Sequence, residues 1–523
     1  MIGRREPGRL ERGPFDLVVI GGGILGAFIA WDATLRGLRT ALIERDDFAA
    51  GTSSASGRVL HGGLRSLQHL DVAAAAESLR ESEVIARLAP DLSRPLPFLF
   101  PASAGIADQV VLRTAAVVWK SFARSAQGGG DSAARFARPG HDLEPSIGDW
   151  APYGGLVVRD RQLISAERLV MAVLSAAVNG GAVVVNRVEC QAILSSNGRV
   201  DGVRALDRES GNAFQVNAPW VLNAAGPRAA ELWPAESGAP PPVSFARGIH
   251  IVADLPARQI ALGLTWSEQS VGGKVPRSRR VFVMPWADST LIGASFEPAG
   301  SISSHPIEAS ADEILRFVTG MSRRWPALEL DADRVRYAVA GLYPIFGRGR
   351  SNPETFAVAR RPLVCDHLER GGPDGLITGI SVKLTTARAL AERMVDRVAA
   401  RCDQALAPCS TASAGPLPFA VPSTVPGIGF GPLADPAVAA RLATAAAEQE
   451  QARTLADVFL RRSTVGQHGI PARDVLEGAG TALASALGWS AEEKESDKLR
   501  FEEFYGRLSQ PGSDSDAGPG TSG

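Results

Sequence analysis

Residues 15–44 read FDLVVIGGGILGAFIAWDATLRGLRTALIE, and the reading of this stretch decides the fold. FDLVVI is a short β-branched run of the kind buried in a parallel sheet. GGGILGAFIAWDATLRG follows at once, and RTALIE returns to strand chemistry. The spacing predicts a β-α-β unit with Gly21, Gly23 and Gly26 on the G-x-G-x-x-G positions and Glu44 closing the second strand. Gly21 permits the tight turn, Gly23 lets a pyrophosphate approach the backbone, and Gly26 lets helix and strand pack closely. Glu44 would accept hydrogen bonds from a ribose. The unit predicts one bound dinucleotide and leaves FAD and NAD open. PGIGFG at 426–431 has the wrong spacing for a second fingerprint and reads as loop.

Working outward, GGAVVVNRVECQAI at 180–193 reads as a strand after a helix, and a meander follows that ends in the strand WVLNAAGP at 220–227. Both are expected to return to the first sheet. Ala225 and Gly226 are small residues at a strand's carboxyl end, which is what close passage over a nucleotide requires. Between about 240 and 345, alternating runs such as FARGIHIVAD and VRYAVAGLYPIF predict an antiparallel sheet. DGLITGISVKLTTARALAERMVDRVAAR then gives a strand, a turn and an amphipathic helix, with Thr385 and Thr386 in the first turn. That helix N-terminus can point amides at an electron-rich ring atom.

Composition bounds the partners. The chain has 523 residues, 45% of them hydrophobic, with 55 Lys and Arg against 56 Asp and Glu. It is long enough for several domains, and its charge balance gives no overall field for nucleic acid. Cys190, Cys365, Cys402 and Cys409 lack zinc-site spacing and read as reduced thiols, so no metal site is expected. The N-terminus is charged and lacks the apolar core of a secretory signal, which predicts a cytoplasmic location. The longest apolar stretch, from Leu169, is broken by Asn-Gly-Gly at 179–181 and is not a membrane span.

The segment after the second strand, GTSSASGRVLHGGLR at 51–65, is not a generic nucleotide motif. Together with LVVRDRQLISAERLV, NAAGP, RGIHIV, VFVMPW, VKLTTARALAE and ARTLADVFLRRSTVG in that order, it resembles the FAD-dependent glycerol-3-phosphate dehydrogenase family, within the D-amino-acid-oxidase-like flavoproteins. The resemblance covers roughly residues 15–505. It implies an α/β fold with a Rossmann-like FAD-binding domain, an interleaved antiparallel-sheet substrate domain and a C-terminal helical domain. The expected boundaries are an N-terminal tail at 1–14 and an oxidoreductase domain at 15–410. Within the latter, the FAD-binding parts are about 15–240 and 346–410, and the substrate sheet is about 241–345. A linker at 411–426, a helical domain at 427–510 and a disordered tail at 511–523 complete the division.

The resemblance also assigns residues. It implies FAD contacts from Gly21, Gly22, Gly23, Gly26, Glu44, Arg45, Thr52, Ser53, Ser54, Ser56, Arg58, Gly62, Gly63, Val188, Ala225, Gly226, Lys383, Leu384 and Thr385. Arg65 would face the substrate. His61 and His250 are candidate bases, because a neutral imidazole is available near neutral pH. Arg65 and Lys383 are the candidates for stabilising an anionic substrate or reduced flavin. The implied reaction oxidises sn-glycerol 3-phosphate to dihydroxyacetone phosphate, with electrons passing to a quinone or another acceptor, in the cytoplasm or on the inner membrane face. The sequence carries no signal for oligomeric state.

Three departures qualify that reading. The family's Gly-x-Arg-Pro is here Gly341-Leu342-Tyr343-Pro344, so Tyr343 replaces a pocket arginine. A guanidinium holds a phosphate dianion through two charged bonds, whereas a phenol offers one neutral donor. The family's Gly-Gly-Lys-Leu-Thr-Thr is Ser381-Val382-Lys383-Leu384-Thr385-Thr386, and its Gly-Thr-Thr-Asp is Gly293-Ala294-Ser295-Phe296. Arg247, Arg348, Arg350 and Arg360 are near enough in sequence to replace the missing cation. The alternatives are a flavoenzyme oxidising a different hydroxy or amino substrate, and a flavin-binding protein without turnover.

Overall fold

Strand Leu17–Ile20 lies inside a six-stranded sheet ordered Leu363–Asp366, Leu376–Ile380, Trp220–Asn223, Leu17–Ile20, Thr40–Ile43, Val183–Val185. All neighbours are parallel except the edge pair Leu363–Asp366 and Leu376–Ile380. Burial on both faces explains why LVVI shows no polar alternation. Leu17 and Val19 face a core made with helices Ile24–Leu35, Ala166–Asn179 and Ala387–Ala399. Val18 and Ile20 face the three-stranded sheet Val188–Ser196, Arg199–Asp207, Ala213–Asn217. In this computed structural model the described residues are 1–523 without 64–70, 103–104, 128–133, 139–141, 143–146, 148–149, 242, 257, 268–277, 300–307, 347–358, 360, 419–430 and 510–523. The tail expected at 511–523 therefore lies outside them.

The second sheet runs from Val335–Phe346 through Val243–Ala253, Ser289–Pro298, Ser278–Trp286, Ala261–Ser267, Ser93–Pro101 and Gly155–Leu163 to Val59–Leu60, with Ala134–Ala137 beside Gly155–Leu163. It is thus not confined to 241–345, because four of its strands lie earlier in the chain. Ser93–Pro101 carries three prolines, which hide a strand from sequence reading. It joins the sheet through long-range pairing, such as Ala261 with Phe98. One face packs on helix Ala311–Arg324, which starts in a Ser310–Glu313 capping box.

Helices Pro436–Glu450, Arg473–Leu487 and Ala491–Ser509 share one core with the other face of this sheet, so Leu442, Phe459 and Leu476 cluster with Phe98, Trp286 and Tyr337. Two segments read as loose are packed where they are described. In the expected linker, Thr411 is buried and the Leu417 amide donates to the Leu88 carbonyl at 2.7 Å. In the expected N-terminal tail, Ile2 and Leu10 are buried and Arg5 is paired with Asp207. Both corrections have one cause: isolated apolar residues in Pro- and Gly-rich segments have no periodicity to announce them.

Candidate functional site

The cleft at the carboxyl end of the first sheet is built on the glycine turn. Gly21 has φ +106°, and a Cβ there would stand 2.6 Å from the Ala224 carbonyl oxygen. A Cβ on Gly26 would come within 1.9 Å of the Gly21 oxygen, so only glycine lets helix Ile24–Leu35 start against the strand. Gly22 donates its amide to Glu44 Oε2 at 2.6 Å, and Asp46 donates to Oε1 at 2.8 Å. Burial pushes the Glu44 carboxyl up to about 7, against the pull of those two amides. The Ile24 amide donates to Ser53 Oγ at 3.0 Å, which leaves the hydroxyl proton free to point into the cleft at a helix N-terminus.

The cleft has an empty volume of ≈ 1540 Å³, solvent mouth included. Gly21, Gly23, Glu44, Arg45, Thr52, Ser53, Ser56, Val188, Ala225, Gly226, Lys383 and Leu384 all line it, as does Tyr343. Glycines at positions that admit no side chain, a buried acid and a helix N-terminus together fit a dinucleotide.

Other expected contacts do not line the cleft. Gly22 supports Glu44 from behind, and Gly26 is a packing position. The Ser54 hydroxyl donates to the Gly51 carbonyl in its own turn. Thr385 is buried. Gly62 donates its amide to Asp160, and Gly63, at φ +91°, lies against the Ala75 backbone. Arg58 is the clear correction. Its buried guanidinium donates to Glu167 at 2.9 Å and Gln467 at 2.7 Å and lies 4.7 Å from the Trp286 ring centre, so it ties together segments distant in the chain and does not line the cleft.

The small-residue stretch passes between the two sheets. Thr52 Oγ1 donates to the Leu342 carbonyl and accepts from the Leu342 amide, both at 3.3 Å. Ala55 sits where a Cβ on Gly341 would reach 2.7 Å, and a Cβ on Gly57 would stand 3.2 Å from His250 Nε2. Close approach to the second sheet explains why these positions are small.

The candidate catalytic residues separate. His61 Nδ1 lies 3.1 Å from Asp160 Oδ2, and the other Asp160 oxygen accepts the Gly62 amide at 2.9 Å. The His61 side chain is 45% exposed and its ring centre is 5.4 Å from that of Phe282. His250 is buried and, like His61, does not line the cleft; its Nδ1 has no hydrogen-bond partner among the described residues. Burial, helped by the charge of Arg58, pushes it down to about 4. Lys383 Nζ donates to Ser78 Oγ at 3.2 Å. The Tyr343 hydroxyl donates to the Ala55 carbonyl at 3.0 Å, and burial pushes its phenol up. Its one donor is thus used by the protein. Arg247 is paired with Glu313 on helix Ala311–Arg324. Arg65, Arg348, Arg350 and Arg360 lie outside the described residues. Asp160 and Ser78 were missed by sequence reading. Asp160 stood in a quoted segment, but an acid within a strand carries no periodic signal.

A family model for the FAD dependent oxidoreductases matches residues 16–397. The chain belongs to that family. Its cofactor is FAD. The glycerol-3-phosphate dehydrogenase of Synechocystis sp. is 32% identical over 435 residues, covering 79% of this chain and 74% of that protein. Glycerol-3-phosphate dehydrogenase 2 of Mycobacterium tuberculosis is 31% identical, covering 74% of this chain and 63% of that protein. This chain spans 52% of the probable mitochondrial glycerol-3-phosphate dehydrogenase of Caenorhabditis elegans, at 30% identity. Among solved structures, the glycerol-3-phosphate dehydrogenase of Bacillus halodurans complexed with FAD superposes with TM-score 0.67 at 22% identity over 98% of this chain and 99% of that one. Glycine oxidase of Geobacillus kaustophilus superposes with TM-score 0.52 at 18% identity over 75% of this chain and 96% of that one. At these identities the two structures speak for the fold alone. The FAD-dependent oxidoreductase fold accounts for the glycine turn, the second sheet and the cleft between them.

Proposed function

We propose that this FAD-dependent oxidoreductase oxidises the secondary hydroxyl of sn-glycerol 3-phosphate to the ketone of dihydroxyacetone phosphate, with the electrons leaving to a quinone or another acceptor. The observation that carries a hydroxyl oxidation is the half-exposed His61 held by Asp160. Bound FAD supplies a ring that accepts hydride. Donation of Nδ1–H to Asp160 leaves His61 Nε2 with the lone pair that takes the hydroxyl proton. His250 is neutral but its low basicity and enclosure make it the poorer base. Lys383, on the cleft wall and steadied by Ser78, supplies positive charge for developing negative charge.

Tyr343 favours a second reading, a substrate without phosphate that carries a hydroxyl or amine on the oxidised carbon. Its hydroxyl is committed to Ala55, and its ring sits where a Cβ on Gly248 would clash, at 2.5 Å. Turnover with sn-glycerol 3-phosphate, glycerol and small amino acids, for wild type and Tyr343→Arg, separates the readings. Preference for the phosphate in wild type supports the first. Gain of that preference only in Tyr343→Arg supports the second. A flavin-binding protein without turnover is the outcome if none reduces the flavin.

Peripheral membrane contact is part of the same proposal. Among the described residues no helix is long and apolar enough to cross a membrane. On helix Gly105–Gln127, however, Val110, Val111, Val117 and Val118 are 50–67% exposed, two turns apart on one face, with Arg113 and Lys120 exposed beside them. Cosedimentation with anionic vesicles that is lost in Val111→Glu/Val118→Glu supports this contact, and unchanged sedimentation contradicts it.

A further inference from the structure

Asp47 stands three residues after Glu44, in the loop that lines the cleft through Glu44, Arg45, Asp46, Ala49 and Ala50. Its carboxylate points away from the cleft and is enclosed by donors from elsewhere in the chain. Arg462 donates to both oxygens at 2.7 Å, Arg461 Nε donates at 2.7 Å, and Asn186 Nδ2 donates at 2.9 Å. Neither the Asp47 nor the Arg462 side chain has exposed surface. The two arginines sit side by side on the π-helical turn Asp457–Arg462 of the C-terminal unit. Asp457 accepts from Arg187 at 2.9 Å as well as from Arg461. Arg187 and Val188 then donate their amides to the carbonyls of Asp46 at 2.9 Å and Glu44 at 2.7 Å. At the loop's far end, Ala49, with φ +62°, donates its amide to the Gly22 carbonyl. The cleft-facing loop is thus fixed from behind by charge-assisted bonds from residues more than 400 positions later.

We propose that Arg461 and Arg462 latch the cofactor loop: they are positioning residues that act through Asp47 to set how tightly FAD is held. A bidentate guanidinium–carboxylate pair defines both the position and the orientation of Asp47. Loss of that geometry leaves a buried acid short of partners, and the loop can recover hydration only by shifting, which moves Glu44. The proposal rests on the reading of this cleft as the FAD site, and the test treats the role of Glu44 as ribose acceptor separately.

The test measures FAD release from the diluted holoenzyme as the gain of free-flavin fluorescence, in variants shown to be folded by circular dichroism. Arg462→Lys keeps the charge but not the fork. It is expected to weaken FAD binding about tenfold or more, the scale of one lost charge-assisted bond. Tyr505→Phe removes a bond to the Gly466 carbonyl within the same C-terminal unit without touching Asp47, and is expected to leave FAD affinity within about twofold. Unchanged affinity in Arg462→Lys overturns the latch, as does equal weakening in Tyr505→Phe, which would assign the effect to general stability. Weakening in Arg462→Lys with none in Glu44→Gln refutes the ribose reading and leaves the latch standing. If Arg462→Lys does not fold, Arg461→Lys, whose side chain is 15% exposed, takes its place. A loss of about threefold is then expected, and no loss overturns the proposal.

Discussion

His61 and Asp160 lie 99 residues apart in the chain and 3.1 Å apart in space, and the account of the chemistry depends on that pair. His61→Asn should slow anaerobic flavin reduction by roughly 10²–10⁴-fold, the range of a lost general base, with FAD content unchanged. Asp160→Asn should slow it in the same direction, because the amide no longer fixes the imidazole tautomer. Stopped-flow reduction of both variants checks this, and wild-type rates in His61→Asn would remove it as the base. Glu44 makes a separate prediction about pH. Burial raises its carboxyl from 4.5 to about 7, so the folded flavin-free protein holds a proton that the unfolded chain has lost between those values. Stability is therefore greatest below pH 4.5 for this group and is lost as pH rises through about 7. His250, lowered from 6.5 to about 4, works in the opposite sense and costs stability as pH falls through that window. The melting temperature of flavin-free Glu44→Gln, compared with wild type from pH 5 to 8, isolates the first effect as a missing decline.

At the scale of elements, the glycine turn was legible because its information is local: strand, three spaced glycines, helix and acid all fall within 30 residues. The paired arrangements behind it were not. Asp47 meets Arg462 across 415 positions, and Tyr343 meets Ala55 across 288, with no periodicity that links such partners. The same limit hid the strand Ser93–Pro101, whose prolines argued against it until pairing with Gly155–Leu163 and Ala261–Ser267 made a place for it. Arg58 was misread for a related reason. It stands among cleft residues in sequence, yet positive φ and a buried acid at Glu167 turn it toward the C-terminal unit. One consequence concerns Gly341, where the Thr52–Gly57 segment is closest to the second sheet. Gly341→Val would drive a side chain into Ala55 and is expected to cost about 1–3 kcal/mol, the range for overpacking. Thermal unfolding of the variant checks it, and an unchanged midpoint would mean that the segment yields freely.

At the scale of the whole molecule, the C-terminal helices are structural partners of both sheets. They complete the core around Phe98 and Trp286 and supply the partners of Asp47, Arg168 and Arg58. A chain ended at residue 418 would leave the buried charges of Asp47 and Arg168 uncompensated, at about 3–5 kcal/mol for each broken pair, and is expected not to fold as a flavoprotein. Flavin content after expression reads this directly, and a yellow, soluble 1–418 fragment would contradict it. The central claim concerns the reaction, and it is tested most directly by mixing the oxidised holoenzyme with sn-glycerol 3-phosphate in the absence of oxygen while following the flavin absorbance. The account predicts rapid bleaching. Persistence of the oxidised spectrum, in a protein whose flavin dithionite still reduces, would contradict it and would mark Tyr343 as the residue that changed the substrate.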